Sequence, residues 1–223
     1  MGLQKASHVK VKGVADIVFC FDCTGSMTEI INSVKENVGK LIDGFATNDV
    51  ALDWRARCLG YRDFEVDEEY LINDRPFVTT EAELKAQIAG MEAKEYTGGD
   101  DPEATLDAIW YASQSEWRDN CHKIVVVFTD AAAKGVNEKT ISEIDKADAD
   151  LDVLTQELNV NHIKLFLWGM KDPVYDILTK IPRADVVQLE NPEDDYKKMD
   201  FSALMTTIGK TVSGLISGGG TTF

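Results

Sequence analysis

Residues 17–30 read IVFCFDCTGSMTEI, and the order of residue types in this run decides the fold. Five apolar residues lead into Asp22; Thr24, Gly25 and Ser26 follow, and a helix-like pattern starts at once. A strand that is apolar without interruption is one covered on both faces, as in a parallel sheet packed between helices. Three more runs have this character: KIVVVFT (123–129), HIKLFLWG (162–169) and ADVVQL (184–189). Between them the periodicity changes. Ile30, Ile31, Val34, Val38, Leu41, Ile42 and Phe45 form a stripe of helical period across residues 26–46. Residues 103–118, 137–159 and 200–213 read similarly, and shorter helices are expected near 80–91 and 173–180, the latter opened by Asp172-Pro173. Residues 50–78 alternate instead, which predicts an antiparallel pair at one edge of the sheet.

Strands alternating with helices predict a doubly wound α/β fold: a mostly parallel central sheet, one antiparallel edge strand, helices on both faces. One domain over 15–213 is expected, with an N-terminal extension (1–14) and a flexible Gly-rich tail (214–223). Sheets of this kind bind ligands at the carboxyl ends of their strands. Asp22 and Asp130 each follow an apolar strand directly, so both belong to that edge.

The chain has 223 residues, enough for a core that needs no disulfide or metal staple. Asp and Glu number 39 against 23 Lys and Arg, a net charge of −16. Such a surface repels nucleic-acid backbones and anionic membranes and concentrates cations. No apolar run is long enough to span a bilayer. CFDC (20–23) looks like half of a zinc site, but no second pair exists, so Cys20, Cys23, Cys58 and Cys121 read as free thiols. With no apolar signal core at the start, the expected location is cytoplasmic. His8, His122 and His162 are scattered, and Trp54, Trp110, Trp117 and Trp168 read as packing residues.

Asp22, Thr24 and Ser26 can turn one carboxylate and two hydroxyls toward a common point, with Gly25 allowing the tight path. Hard oxygen donors without His or thiolate suit Mg²⁺, with Mn²⁺ or Ca²⁺ as further candidates. A plain helix cap is the competing account of Ser26, because SMTE (26–29) has capping-box spacing. It leaves Asp22 and Thr24 unexplained. TGGDDPEATLDAIW (97–110) places Asp100, Asp101 and Glu103 on a glycine-hinged loop before a helix, and VVVFTD ends in Asp130. Three acidic clusters at one sheet edge are expected to share a cation.

DCTGSM, GGDDPE and VFTD, in this order, resemble the metal-ion-dependent adhesion site of von Willebrand factor type A domains. The loop motif is closest to the integrin β and bacterial GGGDxPE variety. Thr24 stands where the family usually has Ser, and keeps the hydroxyl. The resemblance implies a non-enzymatic binding module in which Asp22, Thr24, Ser26, Glu103 and Asp130 hold Mg²⁺. Asp100 is a further candidate ligand, and the choice among Asp100, Asp101 and Glu103 stays open. It also implies a partner protein that offers an Asp or Glu carboxylate to the metal. Met27, Thr28, Gly98, Gly99, Ala131 and Lys134 are expected at the contact rim. Two other readings compete. One is a Mg²⁺-dependent phosphatase of the haloacid-dehalogenase type, disfavoured by Thr24 in place of a second Asp and by the order of the motifs. The other is a scaffold domain whose metal is purely structural.

Overall fold

The computed structural model describes residues 13–45, 52–65, 69–91, 93, 102–135 and 150–218. Six strands form one sheet: β1 (Val14–Asp22), β2 (Asp53–Tyr61), β3 (Leu71–Ile72), β4 (His122–Phe128), β5 (Lys164–Met170) and β6 (Ala184–Leu189). Their spatial order is β3-β2-β1-β4-β5-β6. Every pairing is parallel except β2 with β3. The order reverses at β1, whose partners are β2 and β4, so the crevice beyond β1 and β4 is the switch point at which such sheets take ligands. The alternating 50–78 stretch is therefore resolved into a long parallel strand and a two-residue antiparallel edge strand.

The helices are α1 (Thr28–Phe45), α2 (Glu81–Ala89), α3 (Thr105–Ser113), α4 (Asp150–Val160), α5 (Pro173–Leu178), α6 (Pro192–Lys198) and α7 (Phe201–Gly218). Because side chains alternate along a strand, each central strand feeds two cores. Ile17, Phe19 and Phe21 of β1 pack with α1, α2 and α7, whereas Val18 and Cys20 pack with α3, α4 and α5. On the first face a run of rings crosses three strands: Phe21 on Phe128 at 6.0 Å and Phe128 on Trp168 at 5.4 Å. Offset ring pairs of this kind add stability beyond their buried area. Phe201 of α7 closes on Phe128 from above, at 6.4 Å.

Local chemistry accounts for the helix starts. Asp172 caps α5 by accepting from the Val174 N–H at 2.7 Å, with Pro173 in the first turn, as its sequence predicts. Asn191-Pro192 opens α6 in the same manner, and this helix lacks the apolar stripe by which a helix is read. The expected flexible tail begins too early at 214, because α7 continues to Gly218. The described part of the 137–159 prediction is α4, and the rest lies outside the described residues. Trp168 is buried in the core, and Trp54, Trp110 and Trp117 are half-buried against it. Among the described residues no helix is long and apolar enough to cross a membrane.

One buried charge at the opposite, amino-terminal end of the sheet escapes sequence reading. Asp16 of β1 is fully buried. Its Oδ1 accepts from Arg118 Nε at 2.7 Å, and its Oδ2 accepts from Arg55 Nη2 and from the Arg118 N–H, both at 2.8 Å. Arg118 also reaches Asp53 at 3.1 Å, and the Arg55 guanidinium lies 4.1 Å from the Phe77 ring centre. Burial by itself would raise the Asp16 carboxyl, but the bonds from Arg55 and Arg118 outweigh it and hold the group below its ordinary value.

Candidate metal centre

Asp22 is the last residue of β1, and its carboxylate is fully buried. The chain leaves the strand through Thr24 in extended conformation and enters a 3₁₀ turn, Gly25–Met27, before α1. This path folds the motif on itself. Asp22 Oδ1 accepts from the Thr24 hydroxyl at 2.6 Å and from the Thr24 N–H at 3.0 Å. The Thr24 and Ser26 hydroxyl oxygens lie 3.4 Å apart. The three side chains thus converge, and Ser26 is exposed on the open side while Thr24 and Asp22 are buried behind it. Ser26 lies ahead of α1 in the 3₁₀ turn, and its hydroxyl approaches that of Thr24.

The second segment comes from β4. Thr129 is fully buried, and its hydroxyl donates to Asp22 Oδ2 at 3.0 Å. Asp130, next in sequence and half-buried, acts electrostatically on Asp22. Burial first, then the charge of Asp130, push the Asp22 carboxyl up to about 7; the bonds from Thr24 and Thr129 act against the rise. Two carboxylates repelling each other beside two hydroxyls form a site that a divalent cation would relieve. The donors are all hard oxygens, which fits Mg²⁺ or Mn²⁺ better than a thiolate-seeking metal.

Glu103 is brought to the same edge by its backbone. Its N–H donates to the Ala132 carbonyl at 2.9 Å, and its carbonyl accepts from the Lys134 N–H at 2.8 Å, so the segment leading into α3 is zipped to the Asp130 loop. Its side chain is buried. Among the described residues no three acids, histidines or cysteines gather in a metal-holding group. Asp100, Asp101, Gly98 and Gly99 lie outside the described residues.

The rim differs from its prediction. Met27 is fully buried in the core on the α1 side, because the 3₁₀ turn rotates its apolar side chain inward. Lys134 is only 7% exposed and is held by two acids, so it offers no free cation to a partner. Ala131 is also buried, whereas Thr28 is exposed beside Ser26.

Several contributors were not anticipated. Beneath the site, the Tyr175 hydroxyl is 3.1 Å from both the Ala131 carbonyl and the Thr105 hydroxyl, and Thr105 donates to the Tyr61 hydroxyl at 3.2 Å. All three residues are fully buried. This chain of hydroxyls ties the Asp130 loop to α3, α5 and β2. Replacing Tyr175 by Phe keeps the ring and strips the Ala131 carbonyl of this donor. The variant should lose about 1 kcal/mol in urea denaturation. The YRD run (61–63) was the available signal for this region, since it places Tyr61 and Asp63 at the carboxyl end of β2, the same sheet edge as Asp22.

The chain belongs to the von Willebrand factor type A domain family, whose pattern its residues 16–208 match. It is similar to the alpha-protein kinase vwkA of Dictyostelium discoideum, 25% identical over 183 residues, which cover 77% of this chain and 29% of the kinase. Among solved structures it resembles proximal thread matrix protein 1 of the mussel byssus with a zinc-occupied MIDAS motif. The TM-score is 0.59 at 16% identity, over 91% of this chain and 46% of that one. The human COPII-coat protein Sec24c gives a TM-score of 0.52 at 12% identity, over 91% of this chain and 32% of that one. The chain thus spans less than half the length of each of these relatives.

Proposed function

We propose that this chain is a protein-binding module that works through a divalent metal, with Mg²⁺ the physiological ion. Asp22, Thr24, Ser26 and Asp130 hold it, directly or through water, with Glu103 in the adjoining loop. A partner completes the shell with an Asp or Glu carboxylate. The observation that carries this reading is the 3.4 Å approach of the Thr24 and Ser26 hydroxyls beside two mutually repelling carboxylates. Neutral hydroxyls in the donor set leave the metal electrophilic, so an incoming anion still gains from binding it. A zinc-occupied motif of this kind in the mussel protein supports a divalent ion at the corresponding place. A cytoplasmic setting is part of the proposal, supported by four cysteines that are all unpaired, three of them buried.

Titration calorimetry with Mg²⁺ and Mn²⁺ tests the site. Wild type should bind either ion at one site, and Asp22→Ala or Asp130→Ala should abolish binding. Binding that survives both substitutions would refute the centre. A pull-down with and without chelator tests the role: a specific partner should be lost on chelation. Phosphatase turnover that disappears in Asp22→Asn would favour the enzymatic alternative instead.

A further inference from the structure

We propose that Lys134, Asp63 and Glu65 form an ionic lock that positions the Asp130 loop for metal binding; the inference rests on the metal-site reading above. The Lys134 ammonium donates to Asp63 Oδ1 and to Glu65 Oε2, each at 2.6 Å. Asp63 is fully buried beyond the end of β2, and its Oδ1 also accepts from the Glu65 N–H at 2.8 Å. Its Oδ2 is buried without a hydrogen-bond partner. A carboxylate placed in this way depends on the ammonium for its neutralisation, and removing one partner of such a pair leaves an uncompensated charge.

The lock sits between the two halves of the candidate centre. On one side, Cys23 of the Asp22 motif donates its N–H to the Tyr61 carbonyl at 2.8 Å, and its own carbonyl accepts from Arg62 Nε at 3.4 Å. The 61–65 segment is therefore tied to the first half of the site. On the other side, Lys134 follows Asp130 in the same loop, and its backbone pairs with Glu103. Tyr175 restrains this loop at Ala131 and the ammonium restrains it at Lys134. The Lys134 ammonium also lies 5.6 Å from the Phe64 ring centre, which adds a weak attraction in the same direction. Lys134 is thus a positioning residue: it fixes where Asp130 stands relative to Asp22.

Mn²⁺ titration calorimetry on wild type, Lys134→Met, Asp63→Asn and the double variant tests this, with amide hydrogen exchange on the same proteins. Each single substitution should weaken Mn²⁺ binding by about 10- to 100-fold, the range for groups that orient metal ligands. Exchange should accelerate at the Glu103 and Lys134 amides. The double variant should bind no worse than Lys134→Met, because both changes break one interaction. A folded variant with wild-type affinity, or losses that simply add in the double variant, would overturn the lock. If Lys134→Met does not fold, the isosteric Asp63→Asn carries the same comparison. Wild type that binds no Mn²⁺ would instead sink the metal reading, and the positioning role with it.

Discussion

Replacing Asp16 by Ala should lower the unfolding free energy by about 3 kcal/mol, measured by urea denaturation at neutral pH. Removing one member of a buried ion pair typically costs 3–5 kcal/mol, because the remaining charge is stranded. The lower end applies here, since the Arg118 and Arg55 side chains are 28% and 21% exposed and can regain some water. The loss also has a pH signature. The Asp16 carboxyl is held below its ordinary value of 3.8 in the folded chain. Its stabilising contribution is therefore complete above that value and disappears as pH falls through the lower, folded value. The gap between wild type and Asp16→Ala should narrow between about pH 5 and about pH 2. A gap that stays constant over this range would show that the two arginines do not act through the ionised carboxylate.

The second large effect is expected where α1 and α7 touch. The Gly209 Cα region lies directly against Gly44, and a methyl group at Gly209 would run into the Leu41 carbonyl and, at 3.0 Å, the Gly44 Cα. These are backbone atoms of a neighbouring helix and cannot rotate aside. Overpacking costs roughly 1–3 kcal/mol or more when nothing can yield. The gain in helix propensity from Gly to Ala returns at most about 1 kcal/mol. Gly209→Ala should thus be destabilised by about 2 kcal/mol, read as a lower urea midpoint. Gly214→Ala is the control in the same helix: nothing lies within 4 Å of the added methyl, so propensity alone should act and stability should rise slightly. Equal behaviour of the two variants would contradict the close helix contact.

Features carried by local pattern were legible before any coordinates. The ADVVQL run coincides with β6, and the placement of Asp22 at the end of β1 and of Asp130 just past β4 follows from apolar runs ending in acids. What stayed hidden depends on contacts between distant segments. Asp16 looks like any charge in a strand until Arg55 and Arg118, 39 and 102 positions away, are folded onto it. Thr129 lies 107 positions from the carboxylate it binds. Met27 is hidden for a different reason: adjacency to functional residues suggests a rim position, but the 3₁₀ turn leaves it buried in the core. Lys134 failed likewise, because a cation near an acidic edge is as apt to be consumed by buried acids as to be displayed.

Strand β1 carries two buried aspartates in opposite circumstances, Asp16 clamped by guanidinium groups and Asp22 facing another acid. A mutational scan scored only by folded yield would therefore rank this strand misleadingly. Position 16 would look indispensable, while Asn at position 22, which keeps an acceptor for Thr24 and removes the repulsion, would be tolerated or enriched. Selection for robustness alone would erode the acid at position 22 first, so a library intended to preserve binding has to be sorted in the presence of the ion rather than by expression.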